Sequence, residues 1–212
     1  MSATLVPMLW SGGFYLSFVW MAIYMLDLSS NPISNAFLVN NTSLFISVVL
    51  GFPPAGMLSD YLGRTRVMAF GGICMLFFAP FLVNMIGIGS AWGAFYAQLA
   101  LGTFLSCWCA PMMAWLAESF RPELRLTAVS IGYNIAQALI GGSFPSIATL
   151  MTGENSGLPN SSPGFLLSGA AILGLVGLYI APPPPDPEIP VVSSLALATE
   201  ETEVDVAKIQ IT

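Results

Sequence analysis

Long apolar runs separated by short polar segments follow one another along the chain up to about residue 181. A transmembrane helix needs about 20 mostly apolar residues to cross the hydrocarbon core of a bilayer. The pattern therefore predicts an all-α membrane protein whose single membrane domain covers residues 1–181. Six runs are the candidate transmembrane helices, at about 6–26, 36–58, 67–88, 91–117, 127–151 and 164–181.

The pattern changes after the sixth run, where the sequence reads "APPPPDPEIP". Proline favours an extended backbone and cannot continue a helix. The residues that follow are rich in acidic side chains and have no hydrophobic period. We predict that residues 182–212 form a Pro-rich and then acidic disordered tail.

The composition indicates what surrounds the helices. Charged residues make up 8% of the 212 residues and hydrophobic residues 56%, whereas about 25% of residues are charged in soluble domains. So few charges cannot cover a surface that faces water. The surface of the membrane domain therefore faces lipid.

Several classes of protein are excluded by the side chains that the sequence contains. Three cysteines and no histidine argue against a disulfide scaffold or a zinc site. The sequence offers no nucleophile with a base, no phosphate-binding loop and no metal-ligand cluster, so we predict no enzyme, metal or cofactor. The net charge of −6 comes mostly from the tail, which argues against a nucleic-acid partner.

The basic residues indicate an orientation, because cytoplasmic loops carry an excess of Lys and Arg. Six helices place two of the loops and the tail on one side, and all five basic residues fall there: Arg64, Arg66, Arg121, Arg125 and Lys208. The opposite loops hold Asp27 and Glu154. We predict an integral protein of the plasma membrane with a cytoplasmic C-terminus. Asn160-Ser161-Ser162 has the form of a glycosylation acceptor on the outer side.

Charges gather in "GMLSDYLGRTRVM" (56–68), between the second and third runs. We expect Gly56 to let two helices approach closely and Gly63 to allow a tight turn. Asp60 can pair with a nearby arginine or accept hydrogen bonds from a helix N-terminus. The alternative is a simple basic anchor on the inner leaflet, which needs no aspartate and no fixed spacing.

The spacing Gly56-x-Leu58-Ser59-Asp60-x-x-Gly63-Arg64 resembles the loop signature of the major facilitator superfamily, which follows the second helix of each six-helix half. Tyr61 and Thr65 stand where that signature often has basic residues. In the family this loop acts as a conformational latch between the two halves. The resemblance implies the same role for Gly56, Asp60, Gly63 and Arg64.

A second stretch, 117–142, is similar to the segment that joins the tenth and eleventh helices of metabolite:proton symporters and sugar porters. Its matching residues are Glu118, Phe120, Arg125, Tyr133 and Asn134, while the proline is displaced to Pro122 and Ala128 replaces a glycine. The first run resembles the seventh helix, with Ala22 in place of a frequent proline. The resemblance implies half of a twelve-helix fold, the C-terminal one, in the branch that carries proline or betaine, shikimate and 2-oxoglutarate. It also adds Glu118 and Arg125 to the latch.

Polar residues within the runs are candidates for a substrate cavity, since polar groups are costly in lipid. Ser130, Tyr133, Asn134 and Gln137 recur at i, i+3, i+4 and i+7 and share one helix face. The alternative is that such groups form hydrogen bonds between helices. In the family the first and fourth helices of each half line the cavity. The predicted substrate contacts are Trp20, Tyr24, Asn41, Gln98, Tyr133, Asn134 and Gln137.

We therefore expect the C-terminal half of a secondary transporter that moves a small organic metabolite by alternating access. The runs contain no carboxylate at mid-membrane, so the acid for proton coupling would come from a missing N-terminal six-helix half. Two alternatives remain open. One is a six-helix protein that does not transport and serves as an assembly or regulatory partner of a full-length carrier. The other is a half-size carrier that pairs with itself.

Overall fold

The structure is a computed structural model that describes residues 1–29, 31–120, 122–152 and 157–181, without the side chains of 122–124. Six long helices make up most of these residues. The prediction for the tail at 182–212 lies outside these residues. No strand occurs in the described ranges, and the prediction of an all-α protein with six potential transmembrane helices is confirmed. The helices are α1 (Ser2–Leu28), α2 (Ala36–Leu62), α3 (Arg64–Gly87), α4 (Ala91–Glu118), α5 (Arg125–Thr152) and α6 (Ser162–Tyr179).

Trp108 on α4 is the centre of the packing. Its side chain is fully buried, and its Nε1 donates a hydrogen bond to the backbone oxygen of Val6 on α1 at 3.2 Å. A Cβ atom at Gly72 of α3 would lie 2.8 Å from Cζ3 of the indole ring, and one at Gly174 of α6 would lie 2.8 Å from Cζ2. One large aromatic residue thus joins four helices, because two glycines leave room for it.

Small residues bring the helix backbones together elsewhere, as is usual between membrane helices. A Cβ atom at Gly71 of α3 would lie 2.6 Å from the backbone oxygen of Phe104 on α4, and one at Gly164 of α6 would lie 2.4 Å from Cα of Pro80 on α3. The close approach expected at Gly56 is wrong. A Cβ atom there would meet nothing within 4 Å among the described residues.

Three of the helices contain turns of π-helix, in which the backbone hydrogen bond spans one residue more than in an α-helix. Such turns cover Tyr15–Trp20 and Tyr24–Leu28 in α1, Phe45–Leu50 in α2 and Gln137–Gly141 in α5. The ranges given for α3, α4 and α6 are α-helical throughout. The helices with irregular backbone are therefore α1, α2 and α5.

Candidate functional site

The turn between α2 and α3 is a single residue, Gly63. Its φ of +94° is a backbone conformation that side chains with a Cβ rarely adopt, so the predicted need for glycine has a physical basis. The helix α2 continues through Asp60 to Leu62. Asp60 therefore lies in the last turn of α2, whereas the sequence placed it in a loop.

Arg64 connects three helix ends at this charged end of the bundle. Its Nη2 atom lies 2.8 Å from Oε1 of Glu118 on α4 and 3.8 Å from Oδ1 of Asp60 on α2. Asp60 is an acid near the C-terminus of α2, and Arg64 is a base at the N-terminus of α3. Each charge interacts unfavourably with the dipole of its own helix. Pairing offsets both effects, so the three side chains form one charged cluster.

Arg125 does not join the charged cluster in the part of the chain that the structure describes. Its side chain is exposed near the beginning of α5. Arg66 also points elsewhere, since its Nη1 donates to the backbone oxygen of Leu62 at 3.5 Å. Of the residues predicted for the latch, the structure brings together Asp60, Arg64 and Glu118.

A second cluster lies between α1 and α5, where two of the predicted substrate contacts meet. The hydroxyl of Tyr133 accepts hydrogen bonds from Nε1 of Trp10 and from Nε2 of Gln137, each at 3.2 Å. Oε1 of Gln137 is buried and has no hydrogen-bond partner among the described residues. Within the described part of the chain, the cluster therefore has a free acceptor on Gln137 and a hydrogen on the Tyr133 hydroxyl that is left to donate.

Two further aromatic side chains lie beside Trp10 of this cluster. The ring of Trp10 lies 5.2 Å from that of Phe14 and 6.1 Å from that of Phe52 on α2, and all three side chains are half-buried. Sequence reasoning missed Trp10, Phe14 and Phe52 because aromatic residues in an apolar run look the same whether they face lipid or a cavity. Aromatic walls with a few polar groups are typical of sites for small molecules.

Trp20 and Tyr24 were predicted to contact substrate, but the structure buries both in contacts at the opposite end of α1 from the charged cluster. Their rings stack at 5.0 Å. Nε1 of Trp20 donates to Oγ1 of Thr149 on α5 at 2.9 Å, and the Tyr24 hydroxyl donates to the backbone oxygen of Asn160 at 3.3 Å. Nδ2 of Asn160 in turn donates to the backbone oxygen of Gly87 at 3.5 Å, so this amide is engaged within the bundle.

Gln98, another predicted substrate contact, is also fully buried and lies between helices. Its Nε2 donates to the backbone oxygen of Ser17 on α1 at 2.8 Å and to Oδ1 of Asn40 on α2. The buried amide of α2 is Asn40, while the predicted Asn41 is exposed. Asn134 is exposed on α5, where its Nδ2 donates to the backbone oxygen of Ser130 at 2.8 Å.

Several bacterial transporters resemble this chain. The chain is 34% identical over 143 residues to the inner membrane metabolite transport protein YhjE of Escherichia coli, covering 65% of this chain and 32% of that protein. It is 26% identical over 168 residues to the alpha-ketoglutarate permease of the same bacterium, which covers 79% of this chain and 38% of that protein. It is 31% identical over 141 residues to the citrate-proton symporter of Klebsiella pneumoniae, which covers 62% of this chain and 29% of that protein.

The chain thus spans about a third of the length of the curated relatives it matches. No family model and no solved structure matches it. The relatives are transporters and not enzymes, and they confirm the resemblance to the metabolite:proton symporters of the major facilitator superfamily.

Proposed function

We propose that this chain, a relative of the metabolite:proton symporters of the major facilitator superfamily, is the C-terminal half of a secondary transporter for a small organic metabolite. The observation that carries the proposal is the cluster of Trp10, Tyr133 and Gln137. It offers a buried acceptor to which no described residue donates, and a phenolic hydroxyl beside aromatic rings. A molecule with both polar and apolar parts would use all of these groups.

Alternating access requires two halves that rock around a site near the middle of the membrane. In this proposal α1 and α5 supply one wall of the path, and an N-terminal six-helix half or a second copy of the chain supplies the other. The charged cluster of Asp60, Arg64 and Glu118 ties the ends of α2, α3 and α4 together on the cytoplasmic side. It would keep these ends in register while the two halves move.

Proton coupling, if the complete carrier uses it, needs an acid inside the membrane. The carboxylates with described side chains are Asp27, Asp60 and Glu118, which are exposed and lie at or near helix ends. We propose that the acid belongs to the other half of the carrier. The role of this half would then be to bind the metabolite and to move.

A second candidate is a six-helix assembly or regulatory partner that does not transport. The burial of Trp20, Tyr24 and Gln98 in contacts between helices favours it, because these residues then stabilise the bundle and face no path. Both candidates share the fold and the membrane location. Ligand binding at the cluster of Trp10, Tyr133 and Gln137 distinguishes the two candidates.

Binding can be measured on the purified chain in lipid nanodiscs by following tryptophan fluorescence, to which Trp10 contributes. The probes are 2-oxoglutarate, citrate, proline and betaine. At least one should change the fluorescence saturably, and Gln137→Leu should weaken its binding roughly tenfold because a hydrogen bond is lost. Thr103→Val is the matched control, since Thr103 is exposed on α4 and its hydroxyl donates to the backbone oxygen of Leu99 of its own helix.

Two results would contradict the proposed site. Binding of equal strength in the Gln137→Leu protein would show that the ligand lies elsewhere. A wild-type chain that binds none of the four probes would favour the partner that does not transport.

A further inference from the structure

The π-helical turns of α1 and α2 have a common neighbour in α4. In a π-helical turn the backbone hydrogen bonds shift by one residue, so the carbonyl groups point in other directions than in a regular helix. Inside a membrane, polar backbone groups must find partners within the protein. The partners of these turns therefore indicate what holds the irregular backbone in place.

Side chains of neighbouring helices bind the carbonyls of both turns. In the turn Tyr15–Trp20 of α1, the backbone oxygen of Ser17 accepts from Nε2 of Gln98 at 2.8 Å and that of Phe18 accepts from Nδ2 of Asn40 at 3.0 Å. In the turn Phe45–Leu50 of α2, the backbone oxygen of Ser47 lies 2.7 Å from Oγ of Ser106, whose one hydrogen is shared with the backbone oxygen of Gly102 at 2.8 Å. Each turn is thus held by at least one buried side chain of α4.

The α4 residues involved lie on one face of that helix. Gln98, Gly102 and Ser106 follow one another at every fourth position, which places them in a stripe one above the other. At Gly102 a Cβ atom would lie 2.5 Å from Cβ of Ser47 and 3.5 Å from Cε1 of Phe18. The missing side chain lets the turns of α1 and α2 come against the same place on α4.

Two buried atoms of this network have no partner among the described residues, namely Oγ of Ser17 and Oε1 of Gln98. The Ser17 hydroxyl can donate and the Gln98 carbonyl can accept. The Gln98 amide already binds the backbone oxygen of Ser17. Gln98 thus binds α1 through its amide nitrogen and keeps an acceptor oxygen that the described residues leave unpaired.

We propose that the stripe of Gln98, Gly102 and Ser106 is a hinge clasp, which holds the π-helical turns of α1 and α2 and couples the bending of the two helices. Gln98 is the positioning residue, since its Nε2 donates both to the backbone oxygen of Ser17 in α1 and to Oδ1 of Asn40 in α2, so one side chain joins the two helices. This role rests on the proposed function, since coupled bending matters in a carrier that alternates between two states. In this role Gln98 takes part in the bending of the helices and not in substrate binding.

A static hydrogen bond between helices is the alternative, and the chain offers a matched example of one. Oγ of Ser168 on α6 donates to the backbone oxygen of Leu76 on α3 at 2.7 Å, and both helices are regular there. Removing this bond should affect only its surroundings. Removing a bond of the clasp should affect two helices at once.

Hydrogen–deuterium exchange of the chain in nanodiscs, read by mass spectrometry, tests the difference. In Gln98→Met the amides of Tyr15–Trp20 and of Phe45–Leu50 should both exchange about tenfold faster. Ser106→Ala is a milder change and should accelerate the same two segments. Ser168→Ala and Thr103→Val should leave both segments as in the wild type.

Faster exchange in α1 alone after Gln98→Met would overturn the coupling. Faster exchange along all six helices would also overturn it, because it would report a general loss of stability. None of these measurements needs a substrate. The clasp and the proposed transport function can therefore fail independently.

Discussion

Nη2 of Arg64 lies 1.0 Å closer to Glu118 than to Asp60, at 2.8 Å and 3.8 Å. Glu118 belongs to α4 and Asp60 to the last turn of α2, so the shorter contact is the one that crosses between distant parts of the chain. The Arg64–Asp60 pair spans four residues at the turn. The tertiary contact of the charged cluster is therefore the one to Glu118.

Removing the Arg64–Glu118 contact should affect the conformational exchange of the carrier more than the stability of the chain. Glu118 is half-exposed, and exposed ion pairs contribute about 0.2–1 kcal/mol. Glu118→Gln should shift the thermal unfolding of the chain only slightly. In a carrier containing both halves, it should slow uptake more than Asp60→Asn does, with equal amounts of protein in the membrane. Unchanged uptake after Arg64→Gln would mean that the charged cluster is only an anchor.

The two glycines of the signature should respond very differently to alanine. Gly63 has a φ of +94°, and alanine there should cost roughly 1–3 kcal/mol of stability. Gly56 lies inside α2, where no atom of the described residues comes within 4 Å of an added Cβ atom, and alanine favours helices. Gly56→Ala should thus leave the melting temperature unchanged or raise it. Equal losses in both variants would contradict the backbone argument.

Much of the fold could be predicted from the sequence, while the neighbours of each side chain could not. Runs of about 20 apolar residues define membrane helices because the bilayer fixes their length. The period of a helix indicates which residues share a face, as with Tyr133 and Gln137, but not which helix that face meets. Asn40 and Asn41 look alike in sequence, and only packing decides that Asn40 is the buried one.

The π-helical turns escaped prediction for a related reason. A turn such as Tyr15–Trp20 has an ordinary apolar sequence. Its irregular backbone is held by Gln98 and Asn40, which come from α4 and α2. Contacts of that kind depend on tertiary structure, so the segment itself carries no signal. The same holds for Trp10, whose partner Tyr133 lies on α5.

The orientation remains a prediction and can be tested with two exposed positions at opposite ends of the bundle. Thr65 is the second residue of α3, at the charged end, and Ser34 lies between α1 and α2. In intact cells an impermeant thiol reagent should label Ser34→Cys, and it should label Thr65→Cys only after the membrane is opened. The chain without added cysteines controls for reaction at Cys74, Cys107 and Cys109. Labelling of Thr65→Cys in intact cells would show that the topology is the reverse of the predicted one.

The chain by itself should insert into membranes but accumulate no metabolite. The described carboxylates lie at or near helix ends, and the exposed Ser130 and Asn134 on α5 would face lipid. Polar groups in hydrocarbon cost up to several kcal/mol when unpaired, so α5 should bind a matching half or a second copy. In vesicles with an inward proton gradient, we expect no uptake of 2-oxoglutarate, citrate, proline or betaine, together with concentration-dependent cross-linking of the chain. Accumulation that a protonophore abolishes would refute the need for another half, because it would require a coupling acid among these helices.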